Sequence, residues 1–436
     1  MPASIKLACT TTLALATASG AAFAGQLDYM LYTGIEHSNN INLSTTDPIS
    51  QNILIPGLDF TYTQQGSTIQ ANVAGDLEYR DYLGGAFSNQ TQVQLAGQAN
   101  WTVSPQRLDF TVQDFAGIQP IDSLASNAPN NQQQTNVFAL GPTLHFRLGD
   151  TLRGQAELTY INSYAQKTDE FNSQRGQAAL RVFKDLGPTD LLSLNIESQR
   201  IAFSNSGGGP DYTRNEVYGE YVSKLARFDL DAVVGWSQID FDGAGAQTAS
   251  SPLARVSLDW RFTERSTFTA TATHQYSDAA QGMMVQPGIG QIVVPTTGGI
   301  SAGDTTINSQ VYLEKNIELG YAYRADRFTV SVAPSYTKLS YLNGPTFNQS
   351  GYGGNFSIDY RLRPTLTLSA FAIQQSTKYQ TLDRRDNTTS YGLNLTEQWT
   401  PHWSWRASVS RQRRNSNSPD QSYRENEIYL GIVYKR

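Results

Sequence analysis

Hydrophobic and polar positions alternate along most of this chain. From Phe228, one parity holds Phe228, Leu230, Ala232, Val234 and Trp236, with Asp229, Asp231, Val233, Gly235 and Ser237 between them. From Ala254, one face holds Val256, Leu258, Trp260 and Phe262, and the other Arg255, Ser257, Asp259 and Arg261. The stretch from Ile69 to Arg80 alternates in the same way. Period two kept over such lengths predicts strands, not helices. Segments of about 10–15 residues suit tilted membrane strands, which need about 9–11.

The gaps between these segments take turns at being short and long. Tight turns are expected near Gln65-Gly66-Ser67, Ser104-Pro105-Gln106, Gly149-Asp150, Asp185 to Thr189, Ala226-Arg227, Thr263 to Ser266, Arg324 to Arg327, Arg363-Pro364 and Pro401-His402. The alternate gaps are longer and rich in Asn, Gly, Ser and Pro, as in Ser38 to Ser50, Ile118 to Gln133, Asp242 to Ser251 and Ala279 to Thr305. Short turns at one end and long loops at the other are the signature of an outer-membrane β-barrel, with the long loops extracellular. The fold class expected is all-β: a transmembrane antiparallel up-and-down barrel of about 20 strands, with 18 to 22 compatible with boundaries that drift by a few residues.

Aromatic residues sharpen this picture. Phe60, Tyr62, Trp101, Phe146, Phe228, Trp260, Phe262, Tyr323, Tyr360, Trp399 and Trp403 sit beside the short turns, and Tyr160, Tyr164, Tyr276, Tyr341 and Tyr379 near the long loops. Trp and Tyr favour the membrane–water boundary, so the two sets are expected to form two girdles. In the last segment, Ile428, Leu430, Ile432 and Tyr434 should face lipid.

Residues 1–24 read as an export signal: Lys6, an apolar stretch from Leu7 to Phe23, and an Ala22-Phe23-Ala24 cleavage site. The barrel would then occupy 25–436, with 31 basic against 38 acidic residues and no basic block, which argues against a nucleic-acid partner. The one cysteine, Cys9, lies in the signal, so the barrel has no thiol for disulfide or metal chemistry.

Several stretches resemble the outer-membrane β-barrel proteins, of porin type, found near exopolysaccharide and PEP-CTERM protein-sorting gene clusters of Gram-negative bacteria. They are Tyr32-Thr33-Gly34-Ile35-Glu36-His37-Ser38-Asn39-Asn40-Ile41, Leu54-Ile55-Pro56-Gly57-Leu58, Leu77-Glu78-Tyr79-Arg80-Asp81-Tyr82 and the closing Gly431-Ile432-Val433-Tyr434. The resemblance implies a barrel of this size with a role in moving or presenting polysaccharide, and so saccharide and polysaccharide-export proteins as partners beside outer-membrane lipid. It supplies no catalytic residues.

The search for enzyme chemistry finds little. His37, His145, His274 and His402 are scattered without metal-ligand spacing, and no nucleophile elbow or phosphate loop is present. His402 and Ser404 share a strand face, but Trp403 and Trp405 claim the lipid side, leaving the pair inward at a turn. No cofactor is implied.

Charge lies on the parity opposite the apolar face. The expected lumen lining is Asp76, Glu78, Arg80, Arg147, Arg181, Glu220, Asp229, Asp231, Arg255, Asp259, Arg261, Asp359, Arg361 and Arg406. A Lys or Arg facing lipid near the midplane would cost about 2–4 kcal/mol, which enforces inward placement. Lys315 is the exception, sharing parity with Val311 and Leu313; a bulge or a height above the membrane would account for it. The lining is either a salt-bridged, solvated wall or a selectivity surface, and its mixed signs suit a polar solute better than an ion of one charge. The longest gap, Ala279 to Thr305, is open to three readings: a hairpin above the rim, a constriction folded into the lumen, or a contact surface for a partner. Two functions remain: a pore for polar solutes, and a non-conducting scaffold that docks a biosynthetic or secretion complex.

Overall fold

Twenty strands follow one another along the chain. β1 to β5 are Gly25–Ser38, Gln51–Gln65, Ile69–Tyr82, Gln90–Ser104 and Leu108–Pro120. β6 to β10 are Gln132–Leu148, Leu152–Ala165, Ser173–Asp185, Asp190–Phe203 and Tyr212–Leu225. β11 to β15 are Phe228–Phe241, Thr248–Arg261, Ser266–Ser277, Tyr312–Arg324 and Phe328–Tyr341. β16 to β20 are Gln349–Arg363, Leu366–Tyr379, Arg384–Gln398, Trp403–Ser416 and Tyr423–Lys435. One short helix, α1 (Ala279–Met284), follows β13. The structure, a computed structural model, describes residues 25–205, 209–243, 247–284 and 307–436. The expected export signal and most of the long Ala279 to Thr305 gap lie outside the described residues.

Each strand pairs antiparallel with its sequence neighbour, and β20 returns to β1 from Met30↔Lys435 to Ser38↔Glu427, closing the sheet. The nine turns at one end hold two to four residues, and both chain ends lie there. The connections at the other end run from four residues, between β17 and β18, to 34, between β13 and β14. Strand number, turn positions and topology agree with the sequence reading.

Parity decides what each wall residue meets. On the outer face of β11, Val234 is 68% exposed, and Leu158, Leu194, Ile196, Leu430 and Ile428 on other strands are likewise exposed. An apolar face turned outward all round a closed sheet satisfies every backbone group internally and offers lipid only hydrocarbon. The barrel is thus built to span the outer membrane, short turns in the periplasm. The expected lipid-facing set of β20 lies on this outer parity.

Width follows from the strand count. With strands about 4.8 Å apart and tilted about 40°, twenty of them close into a barrel about 40 Å across its backbone. Side chains from opposite walls cannot meet across that distance, so any closure of the interior must come from the connections.

Arginine in place of Val234, at mid-strand on the outer face, should lower unfolding stability in lipid vesicles by about 2–4 kcal/mol. Arginine in place of the inward, solvent-exposed Ser257 should change it by no more than about 0.5 kcal/mol. Urea titration of both variants checks the assignment of faces.

Candidate pore and its inner wall

The inner wall changes character along the barrel axis. Toward the periplasm, the inward Arg147, Asp231, Asp259, Arg261, Asp359 and Arg361 are exposed to solvent. Toward the extracellular end, inward residues such as Ser38, Thr135, Ser163, Arg175 and Ser237 are buried. The cover over them comes from three connections.

The largest is the β13–β14 connection. β12 and β13 pair only up to Ala254↔His274; beyond it, β13 stays with β14 alone. Ser251 Oγ and His274 Nε2 lie 3.0 Å apart beside this split. Above it Tyr276, whose parity would turn it outward, packs with the inner-face Ile201, Tyr212, Ile239 and Phe241. Asp278 then reaches the wall: Arg175 Nη1 donates to it at 2.8 Å and the Tyr212 hydroxyl at 2.8 Å. Asp278 also accepts from the backbone N–H of Ala280 and Gln281, starting α1. Ala279, Ala280 and Met283 of α1 and Ile307 bury themselves against Val137, Ala139, Ile161, Ala165 and Phe171. Arg214 hydrogen-bonds both Gln281 and Gln199. The described ends of this connection are therefore folded into the barrel, which favours the constriction among the three sequence readings.

The other cover comes from residues 39–50 and 121–131. Leu43 and Ala128 pack on the inner-face Tyr423 of β20. Arg414 donates to the Ala125 carbonyl at 3.3 Å, and is held by Asp386, which Arg384 also grips at 2.9 Å. The extracellular mouth is thus narrowed from two sides, over β6–β11 and over β18–β20.

The predicted lining residues fall into separate groups. Asp76, Glu78, Arg80 and Arg406 converge on the closing seam: the Tyr32 hydroxyl lies 2.9 Å from Asp76 and 3.2 Å from Glu78. Arg80 donates to Glu36 at 2.6 Å and to Glu78 at 2.8 Å, and Arg406 faces Asp59 and Tyr429. Arg181 and Arg255 meet at Tyr218, the first donating to its hydroxyl at 2.8 Å and the second stacked 5.5 Å from its ring centre. Arg181 also pairs with Glu157 at 3.2 Å, and Glu220 accepts from Ser193 at 3.1 Å. Asp231 faces Glu220 and Arg255 of this second group; Asp229 and Asp259 are cross-strand partners and stand apart from both groups, with Arg261 near them in sequence. Asp359, Arg361 and Arg147 lie nearer the periplasmic rim on their own strands.

Sequence reasoning missed Glu36, Asp59, Arg175, Arg214, Asp386, Glu425 and Glu427. All sit on inward parities, so fuller use of the period-two rule would have found them. Asp278 gave no such signal, because it follows the strand. Two other differences concern aromatics and Lys315. Tyr276, Tyr341 and Tyr379 are buried rather than lipid-facing: Tyr341 and Tyr379 lie on the inward parity of their strands, and Tyr276 lies on a strand end that bends inward; Tyr160 and Tyr164 are exposed as expected. Lys315 pairs in unbroken register with its neighbours on both sides, so height on the wall, not a bulge, explains its outward position.

The wall, the closed topology and the outward apolar band define the class: an outer-membrane β-barrel protein. The family model described as "Putative beta-barrel porin 2" matches residues 349–436, from β16 to the chain's end. No curated protein matches. Among solved structures, the chain is similar to the FrpB iron transporter from Neisseria meningitidis (F5-1 variant, apoprotein form), at 10% identity, covering 94% of this chain and 81% of that one, with a TM-score of 0.47. It is also similar to a mutant of the ferric enterobactin receptor PfeA from Pseudomonas aeruginosa, at 11% identity, covering 96% and 81%, with a TM-score of 0.48.

Asp278 sets a pH limit on the latch. Burial opposes its ionisation, but Arg175, then the charge of Arg214 and the Tyr212 hydroxyl, outweigh burial and hold its carboxyl well below the usual value. A depressed carboxylate stabilises fully above its unfolded value of about 3.9 and loses that stabilisation as pH falls toward the folded one. A dye on Gly282→Cys should stay immobile down to about pH 4 and loosen only in stronger acid. With Asp278→Asn, which strands the buried Arg175 at a cost of about 3–5 kcal/mol, the dye should be mobile at every pH. Fluorescence anisotropy reads both outcomes.

Proposed function

We propose that this barrel is a pore for polar solutes whose extracellular mouth is narrowed by its own inward-folded connections. The observation that carries the reading is the gradient along the inner wall, solvated and charged toward the periplasm, packed and latched toward the outside. A barrel of 20 strands is wide enough for an aqueous lumen, as in porins of 16–18 strands, while those of 22 carry a plug. Here the narrowing is supplied by the chain's own loops.

The lining argues for a neutral or weakly charged polar solute. Carboxylates and guanidiniums are interleaved on the same wall, so no ring of one sign selects an ion. Oligosaccharide fits such a surface, since its hydroxyls accept and donate equally well. The resemblance to barrels found beside polysaccharide gene clusters supports an export role in concert with other envelope proteins.

The test is single-channel conductance in a planar bilayer, with and without added oligosaccharide. The intact barrel should give small openings that oligosaccharide blocks. Replacing residues 279–310 by a short Gly/Ser linker should raise unit conductance several-fold. A barrel that inserts fully and stays silent in both forms overturns the pore and leaves the scaffold reading.

A further inference from the structure

The outer face of the barrel is electrically lopsided at its extracellular end. Outward Arg411 of β19 lies one pleat below Arg413 and opposite Tyr391; above the apolar band, β14 to β20 carry six further outward cations, Lys315, Lys338, Lys378, Arg385, Arg413 and Arg424. These six form three pairs of directly opposed residues on neighbouring strands: Lys315↔Lys338, Lys378↔Arg385 and Arg413↔Arg424. Among the described residues, none of the six has a carboxylate within ion-pairing distance; Arg413 turns to the Asn415 side-chain oxygen at 2.8 Å. The opposite side differs. The upper outer face of β3 and β11 carries Asp81 and Asp240, and the outward Arg200 of β9 is paired with Asp242.

Like charges directly opposite each other on a sheet are destabilising. A fold that places three such pairs in one band, with no ion-paired carboxylate among the described residues and only Asp383 sharing the hollow of Lys378 and Arg385, is arranged around an anion. Height identifies where that anion lies. Ten residues separate Trp403, in the periplasmic girdle, from Arg413 on β19. At about 3.3 Å per residue and about 40° of tilt, Arg413 stands about 25 Å above Trp403, the full height of a barrel's apolar band. The cations therefore sit level with the headgroups of the extracellular leaflet.

We propose that this band binds the phosphorylated headgroup of the outer-leaflet glycolipid, lipid A. Each opposed pair would take one phosphate between its two cations, and guanidinium donors match phosphate oxygens two at a time. The glycolipid's acyl chains would run down the wall over Tyr391, Leu393, Val409 and Ile428, the exposed apolar residues beneath the band. A soluble polyanion would have no use for that apolar surface, and a protein partner would not need cations confined to headgroup height. The proposal is independent of whether the lumen conducts.

The test uses the folded full-length barrel in neutral detergent and hexa-acylated lipid A, with both phosphates or enzymatically dephosphorylated, with binding read by native mass spectrometry. The wild-type barrel should hold the bisphosphorylated lipid at least tenfold more tightly than the dephosphorylated one. Replacing all six cations by glutamine (Lys315, Lys338, Lys378, Arg385, Arg413 and Arg424) should abolish that preference, while Arg200→Gln should leave it intact. Heat-modifiable migration on a gel confirms that each variant is folded. Equal binding of both lipids by the wild-type barrel overturns the proposal without recourse to any variant. So does a folded variant without the six cations that keeps the tenfold preference.

Discussion

A membrane offers no water to an unpaired backbone, so this sheet has to close on itself. Every other feature depends on that closure between β1 and β20. Nine residue pairs make the seam, from Met30↔Lys435 to Ser38↔Glu427. Its middle is a pair of glycines, Gly34↔Gly431, and the ring of Tyr429 lies across both where a Cβ would stand. Tyr32 covers Gly57 in the same manner on the next strand. Flat rings on bare backbone make a smooth inner wall at the seam; the Tyr32 hydroxyl reaches Asp76 and Glu78, and Tyr429 lies by Arg406. The acidic cluster at the seam is thus a consequence of how the barrel is shut.

Closure with twenty strands reverses the usual arrangement of a protein. The hydrophobic surface is outside, and the interior is too wide for a side-chain core. Packing inside is local, at the seam, around Tyr218 and where a connection folds back on the wall. At these places charge is buried, and buried charge is tolerated only when paired. Arg175 and Asp278, each about 3% exposed in its side chain, join a wall strand to the connection that starts α1. Such a pair gives little net stability over an apolar contact. What it provides is register: a connection of 34 residues has one place to attach. The Asp386 cluster with Arg384 and Arg414 does the same for the opposite side of the mouth.

These two regimes explain what was legible in the sequence. Where the wall has lipid on one side and water on the other, parity reads directly. Val234, Trp236, Ile428 and Leu430 face out, and Asp231, Asp259 and Arg261 face in, as period two requires. The turns were legible for a related reason, since tight antiparallel turns demand Gly, Pro and Asp in few positions. Near the extracellular mouth the environment is set by segments far away in sequence. Tyr276 obeys period two but sits on a strand end that has left its neighbour and bent inward. Tyr341 and Tyr379 have the parity opposite to the outward Lys338 and Lys378, so period two already turns them away from lipid. Asp278 follows a strand and is positioned by Arg175, over 100 residues earlier. Tyr276 and Asp278 have no such local signature, because the partner, not the period, decides.

A strand wall is one residue thick, and this keeps the two faces chemically separate. β14 presents Lys315 outward while the connection that leads into it is bound to the inner wall through Ile307 and Val311. β19 presents Arg413 outward and Arg414 inward, adjacent in sequence and opposite in environment. Arg414 lies beside Asp386 and the Ala125 carbonyl, and so holds a loop over the mouth. Arg413 opposes Arg424 across the strand gap and has no carboxylate beside it among the described residues. Identical chemistry on neighbouring residues is thereby given an internal partner on one face and left for an external anion on the other. Because alternation fixes which is which, a substitution at Arg413 alters the headgroup contact without touching the loop, and one at Arg414 does the reverse.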